Sequence, residues 1–99
     1  MSQATIETRG PVRENLCEII IEDREARDVL FLDNADVEAA MAEGPRSFLE
    51  LLSENITSVG MEILQAAYRN GTPVTLDGTP VDPQLLVDGL GVAPTPKAV

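Results

Sequence analysis

The chain has 99 residues, a net charge of −10 and 43% hydrophobic residues, with no histidine, no tryptophan and one cysteine. A chain this short forms one domain, and its charge disfavours direct contact with nucleic-acid phosphates or anionic lipid headgroups. One cysteine forms no intrachain disulfide, and without histidine the usual zinc ligand sets are excluded.

The two ends of the chain lack hydrophobic periodicity. Residues 1–13 contain Gly10-Pro11 and are predicted to form a flexible arm, and residues 91–99 alternate proline with small residues, which predicts a Pro-rich flexible tail. Residues 14–90 are predicted to form the globular domain. The N-terminus has no features of a secretory signal, and no run approaches the roughly 18 apolar residues of a membrane span, so we expect a cytoplasmic protein.

The domain is predicted to begin with an N-terminal β-hairpin. Cys17, Ile19 and Ile21 alternate within a β-branched segment, which favours a strand, and residues 27–32 form a second apolar strand after a polar turn. The apolar residues of the same region also have the spacing of a helix face. A helix over residues 16–32 therefore stays open as an alternative.

A short helix is predicted next. Asp33 or Asn34 offers a side-chain oxygen to the free N–H groups of the first turn, and residues 35–43 are rich in alanine. Gly44 supplies a left-handed stop.

The following segment predicts a long amphipathic helix. Pro45 suits its first turn, and Ser47 with Glu50 has the spacing of a capping box. One apolar stripe persists over residues 48–67, which favours one helix to Arg69, although residues 55–58 could form a new cap after a break. Three apolar residues lie outside this stripe and are candidates for a partner contact: Leu51, Met61 and Tyr68.

The last elements are a β-ribbon and a short helix. Asp77-Gly78 is the dipeptide that a type I′ turn prefers, and pairing across it turns the missing amides of Pro73 and Pro80 outward, which predicts an isolated ribbon. Asp82-Pro83 then begins a short helix that glycines weaken and end. The fold class is therefore α+β, with helices in the majority.

Motifs for catalysis and ligand binding are missing from the sequence. It contains no glycine-rich nucleotide-binding loop, nucleophile elbow or HExxH motif. Cys17 is the only thiol, and its acidic and apolar neighbours favour a core residue over a nucleophile. The sequence thus predicts no cofactor, no metal ligand and no catalytic residue.

Three classes of function remain. The favoured hypothesis is a small acidic non-enzymatic protein-interaction module, an accessory, regulatory or assembly subunit that binds a larger protein. The second is an acidic mimic that presents the carboxylates of residues 14–43 to a basic nucleic-acid-binding protein. The third is a small enzyme or enzyme component with a carboxylate-lined pocket at an oligomer interface.

The candidate contact residues follow from these hypotheses. The apolar candidates Leu51, Met61 and Tyr68 predict a homodimer, and a protein partner with a basic surface suits the acidic half of the chain. No direct contact with nucleic acid or a membrane is expected. The acidic candidates are Glu22, Asp23, Glu25 and Asp28.

Overall fold

The computed structural model describes residues 3–93, whose strands form one mixed sheet. The strands are β1 (Ala4–Arg13), β2 (Leu16–Glu22), β3 (Arg27–Asp33), β4 (Val74–Leu76) and β5 (Thr79–Pro80). Their order across the sheet is β3-β2-β1-β4-β5, and β1 runs parallel to β4 while the other neighbours are antiparallel.

Four helices accompany the sheet within the described residues, so the predicted α+β class is confirmed. No helix in this part of the chain is both long enough and apolar enough to cross a bilayer. The helices are α1 (Asn34–Glu43), α2 (Pro45–Ser53), α3 (Ser58–Asn70) and α4 (Pro83–Leu85), which continues into a π-helical turn (Leu86–Leu90).

The predicted N-terminal hairpin is confirmed as β2 and β3. Cys17 lies opposite Leu32 and Ile19 opposite Leu30 in one antiparallel register. The side chains of these pairs point into the core, as the alternation along the sequence predicts. The alternative of a helix over residues 16–32 is excluded.

The N-terminal segment is not a flexible arm, because residues 4–13 form β1 between β2 and β4. Ala4 and Ile6 are fully buried and alternate with the more exposed Thr5 and Glu7. This short alternation is present in the sequence, but the position of the strand depends on two ladders. The parallel ladder joins β1 to residues about seventy positions later in the chain.

Two helices occupy the segment for which the sequence predicts one. α2 ends at Ser53, and Asn55 Nδ2 donates to a carbonyl of its last turn at 2.9 Å. α3 begins after Thr57, whose hydroxyl oxygen accepts from the Gly60 N–H at 3.3 Å. The single long helix is therefore wrong, and the alternative of a new cap within residues 55–58 is confirmed. One apolar stripe spans both helices because both bury it in the same core.

The start of α1 follows the prediction closely. Asp33 caps it, since Asp33 Oδ1 accepts from the N–H groups of Ala35 at 2.9 Å and Asp36 at 3.3 Å. Gly44 ends it, with φ of 134° and ψ of 171°, which is outside the left-handed helical region that the sequence predicts. A positive φ of this kind still favours glycine.

The start of α2 differs from the prediction in one respect. Pro45 is its first residue, as predicted. The capping box is wrong because Ser47 lies inside the helix, where its hydroxyl donates to Glu43 Oε1 at 2.9 Å. Glu50 lies 3.4 Å from the guanidinium of Arg46 instead.

The C-terminal ribbon has the predicted turn but is not isolated. Asp77 and Gly78 have φ of 50° and 86°, as a type I′ turn requires, and the pairs across the turn are those predicted. However, β4 also pairs with β1. Pro73 does not prevent this pairing, because it contributes only its carbonyl, which accepts from the Ala4 N–H at 2.9 Å.

A single hydrophobic core lies between the sheet and the helices. Every helix contributes to it, as does one face of β1, β2, β3 and β4, so the helices pack on the same side of the sheet. The largest fully buried members are Phe48, Ile6, Ile19, Ile21, Leu49, Leu52, Leu64, Leu86, Leu90 and Val92.

The beginning of the predicted tail packs on the domain. Val92 is buried, and Gln65 of α3 accepts from the Ala93 N–H at 2.8 Å and donates to the Ala93 carbonyl at 3.0 Å. Residues 94–99 of the predicted tail, and residues 1 and 2 of the predicted arm, lie outside the described residues.

Candidate functional site

The sheet face opposite the helices carries the exposed apolar side chains of β3. We call it the open face, and define it by the strand residues that alternate with the core residues. These are Thr5, Glu7, Arg9, Leu16, Glu18, Ile20, Glu22, Arg27, Val29, Phe31 and Asp33.

An apolar patch lies on the open face at β2 and β3. Val29 and Phe31 are 37% and 42% exposed, and Ile20, directly opposite Val29, is 1% exposed. The Arg13 guanidinium lies over the Phe31 ring, 5.6 Å from its centroid, which is within the range of a cation–π contact. Phe31 is therefore held in place on one side while its ring remains accessible.

The charges on the open face nearly cancel. Three arginines, Arg9 and Arg27 on the face and Arg13 above it, accompany four acidic residues: Glu7, Glu18, Glu22 and Asp33. The whole chain, in contrast, has a net charge of −10. A protein that approaches the apolar patch therefore experiences weaker net electrostatic attraction or repulsion than one that approaches the rest of the surface.

The sequence does not single out this patch, although it contains a signal for it. In β3, four consecutive apolar residues run from Val29 to Leu32, whereas a strand with one buried face shows alternation. Leu30 and Leu32 point into the core, so Val29 and Phe31 must point out of it. Four apolar residues in a row therefore predict a strand with two apolar faces.

The four acidic candidates do not form one surface. Asp28 points to the core side, where its Oδ2 accepts from the Thr57 hydroxyl at 2.5 Å, and Glu22 lies on the open face. Asp23 Oδ1 accepts from the N–H groups of Glu25 and Ala26, both at 2.8 Å. Asp23 and Asp28 thus stabilise the hairpin turn and the start of α3.

The three apolar candidates lie on two helices instead of one. Leu51 is on α2, Met61 and Tyr68 are on α3, and all three are half-buried against the core. Tyr68 also lines a groove of about 300 Å³ with Pro73 and Pro83. A homodimer built on these residues stays a prediction.

Cys17 is the one thiol of the chain, and it is buried in the core, as predicted. Burial raises the pKa of the Cys17 thiol, and the charges of Asp77, Glu18 and Glu38 add to this, while a backbone hydrogen bond from Arg9 opposes it. Both burial and the raised pKa reduce the thiolate that reacts with electrophiles.

We expect the stability of the protein to fall at alkaline pH because of Cys17. Its folded pKa is raised, so the contribution of the protonated thiol is present below the usual pKa of about 8.5 and is lost as pH rises above it. The free energy of unfolding, measured with urea from pH 7 to 10, should fall more steeply for the wild type than for Cys17→Ala, by at most about 1.4 kcal/mol per pH unit. Equal slopes would contradict this.

No group of three or more residues that could hold a metal ion occurs within residues 3–93. Comparison of the chain with protein-family models, curated proteins and solved structures gives no match. The geometry of the open face therefore provides the strongest indication of function.

Proposed function

We propose that this protein is a non-enzymatic protein-interaction module, an accessory, regulatory or assembly subunit that binds a protein partner through the open face. The observation that carries the proposal is the exposed apolar patch of Val29 and Phe31 around the buried Ile20. Exposed apolar clusters with a polar rim are typical of protein contacts.

The apolar stripes of α2 and α3 are buried, which is a second reason to place the contact on the open face. Phe48, Leu49 and Leu52 of α2 are fully buried, as is Leu64 of α3, so the apolar stripes of these helices are occupied by the core. The apolar candidates from the sequence, Leu51, Met61 and Tyr68, lie outside these stripes and are half-buried against the core. The more exposed Val29 and Phe31 on the sheet are therefore the better candidates.

The charge distribution of the chain indicates what kind of surface the partner should have. Its centre should be apolar, to pack on Phe31 and Val29, because the charges of the open face nearly cancel. Its rim should be basic, because the acidic surroundings attract positive charge over a distance of about 8 Å at physiological salt. Such a partner is a protein and not a nucleic acid, and the proposal places the complex in the cytoplasm, which the single cysteine of the chain supports.

The test is affinity capture with the full chain from a lysate of the source organism, at about 50 and 200 mM salt. Phe31→Lys should lower the captured partner by about tenfold or more at both salt concentrations, because a charged side chain replaces the apolar anchor. The matched control is Val59→Lys, since Val59 is 46% exposed on α3, away from the open face.

Two outcomes would contradict the proposal. If Phe31→Lys and Val59→Lys both capture as much partner as the wild type does, the contact lies outside the open face. Capture that occurs at about 50 mM salt and disappears at about 200 mM would indicate the acidic-mimic hypothesis instead. Circular dichroism of both variants would show that each is folded.

A further inference from the structure

The two edges of the sheet differ in a way that points to strand pairing. β5, at one edge, has two residues and ends in Pro80, which has no N–H to donate. β3, at the other edge, has seven residues and no proline, and it carries the exposed Val29 and Phe31. Proteins usually protect edge strands with prolines, bulges or short length. β5 has this protection, whereas the middle of β3, from Val29 to Leu32, has no proline, bulge or charged residue.

The ladder between β2 and β3 determines which backbone groups of β3 face outward. The Asp23 N–H donates to the Ala26 carbonyl at 3.0 Å, and the Asn34 N–H donates to the Asn15 carbonyl at 2.6 Å, at opposite ends of one register. Hydrogen-bonded pairs alternate along an antiparallel ladder, so residues 28, 30 and 32 bond to β2. The N–H and C=O groups of residues 27, 29 and 31 therefore point away from the sheet.

We propose that a second copy of this chain pairs with β3 in antiparallel orientation, about a twofold axis at Leu30. In this register Val29 lies opposite Phe31 of the second copy, and Phe31 lies opposite its Val29. These residues bring outward-facing N–H and C=O groups together and join apolar side chains on the open face. The symmetry makes each contact occur twice.

The backbone match, the length of the overlap and charge complementarity together favour this register over shifted ones. Shifting the strands by one residue would place outward-facing groups opposite groups already bonded to β2. A shift by two residues keeps the backbone match but shortens the overlap. With the axis at Leu30 the whole strand pairs, and the exposed Arg27 lies opposite Asp33 of the second copy. Asp33 uses Oδ1 to cap α1, so Oδ2 can accept from this arginine.

The dimer would join two open faces into one continuous surface. Each chain has a net charge of −10, which opposes association, but the residues that meet at β3 include both signs. Pairing through β3 requires only two copies of this chain. It therefore does not depend on the proposed protein partner, and either proposal can fail alone.

The first test measures mass by sedimentation equilibrium of the purified chain at about 150 mM salt, from about 10 µM to about 1 mM protein. The mass should rise from 10.6 kDa toward twice that value. Val29→Lys should raise the dissociation constant by about tenfold or more, and Val59→Lys should leave it unchanged. A mass of 10.6 kDa at every concentration, or equal effects of the two variants, would overturn the proposal.

The second test examines the register by disulfide formation. Val29→Cys and Phe31→Cys are mixed, oxidised and separated without reductant, with Cys17 buried in both variants. The mixture should form at least about fivefold more crosslinked dimer than either variant alone, because residues 29 and 31 are opposite each other at disulfide distance. More crosslinking in either variant alone would overturn this register. Val59→Cys, mixed with Val29→Cys, controls for random collision.

Discussion

Phe48→Ala is expected to lower the free energy of unfolding by about 3–5 kcal/mol. Phe48 is fully buried in α2, and it is one of three aromatic residues in the chain. Its removal leaves a cavity between the helices and the sheet that the smaller aliphatic side chains around it cannot fill. Because a domain of this kind is stable by roughly 5–15 kcal/mol in total, the loss is a large part of its stability.

The matched control is Phe31→Ala, which removes the other phenylalanine of the chain. Phe31 is 42% exposed, and its defined contact is with the Arg13 guanidinium, so the expected loss is about 1 kcal/mol or less. Urea titration of both variants measures the two losses directly. Equal losses would contradict the placement of Phe48 in the core and of Phe31 on the open face.

Local patterns in the sequence predict the elements whose partners are neighbours in the chain. The β2–β3 hairpin follows from the alternation of Cys17, Ile19 and Ile21, and the β4–β5 turn follows from Asp77-Gly78. In both, the strand and its partner are separated by a few residues. Their hydrogen-bond register is therefore fixed by the turn itself.

The position of β1 could not be predicted in the same way. Its buried residues are Ala4 and Ile6, and the alternation continues with the polar Thr8, so its apolar alternation is weak. Hydrogen-bonded neighbours on both edges fix the position of β1 in the sheet. The parallel ladder joins β1 to residues about seventy positions later, and no short sequence window contains that pairing.

The break between α2 and α3 shows a different limit of sequence patterns. A helical wheel measures which residues share a face, and this face continues across residues 54–57 because both helices serve one core. The competing signal is Thr57, which caps α3 and also donates to Asp28 of β3. The contact with Asp28 is tertiary, so the strength of this cap depends on the fold.

The candidate site was partly predictable for the same reasons. The sequence alone shows that the common catalytic motifs are missing. The two apolar faces of β3 can be predicted from its four consecutive apolar residues. The proximity of Arg13 to Phe31 depends on the irregular register of β1 beyond Arg9. Bulges of this kind re-aim side chains, and their effect is visible only in the folded sheet.

Gly10→Ala is expected to lower the free energy of unfolding by about 1–3 kcal/mol, although Gly10 is at the surface. An added Cβ would lie 2.8 Å from the Cys17 Cα and 3.1 Å from Asn34 Oδ1. The first of these atoms belongs to the backbone of β2, so relief requires β1 and β2 to separate. The glycine is needed for close approach of two strands, not for its backbone angles.

Gly71 is the control, because it is needed for its backbone angles, whereas Gly10 is needed for the close approach of two strands. Gly71 is also exposed, an added Cβ meets nothing within 4 Å, and its φ of 68° ends α3 in the left-handed region. Asparagine tolerates that region, so Gly71→Asn should lose less stability than Gly71→Ala, which should lose about 1 kcal/mol. At Gly10 the steric contact remains with either residue, so Gly10→Asn should be at least as destabilising as Gly10→Ala in urea titrations. A Gly10→Asn variant that recovers wild-type stability would mean that β1 and β2 do not approach as closely as this contact requires.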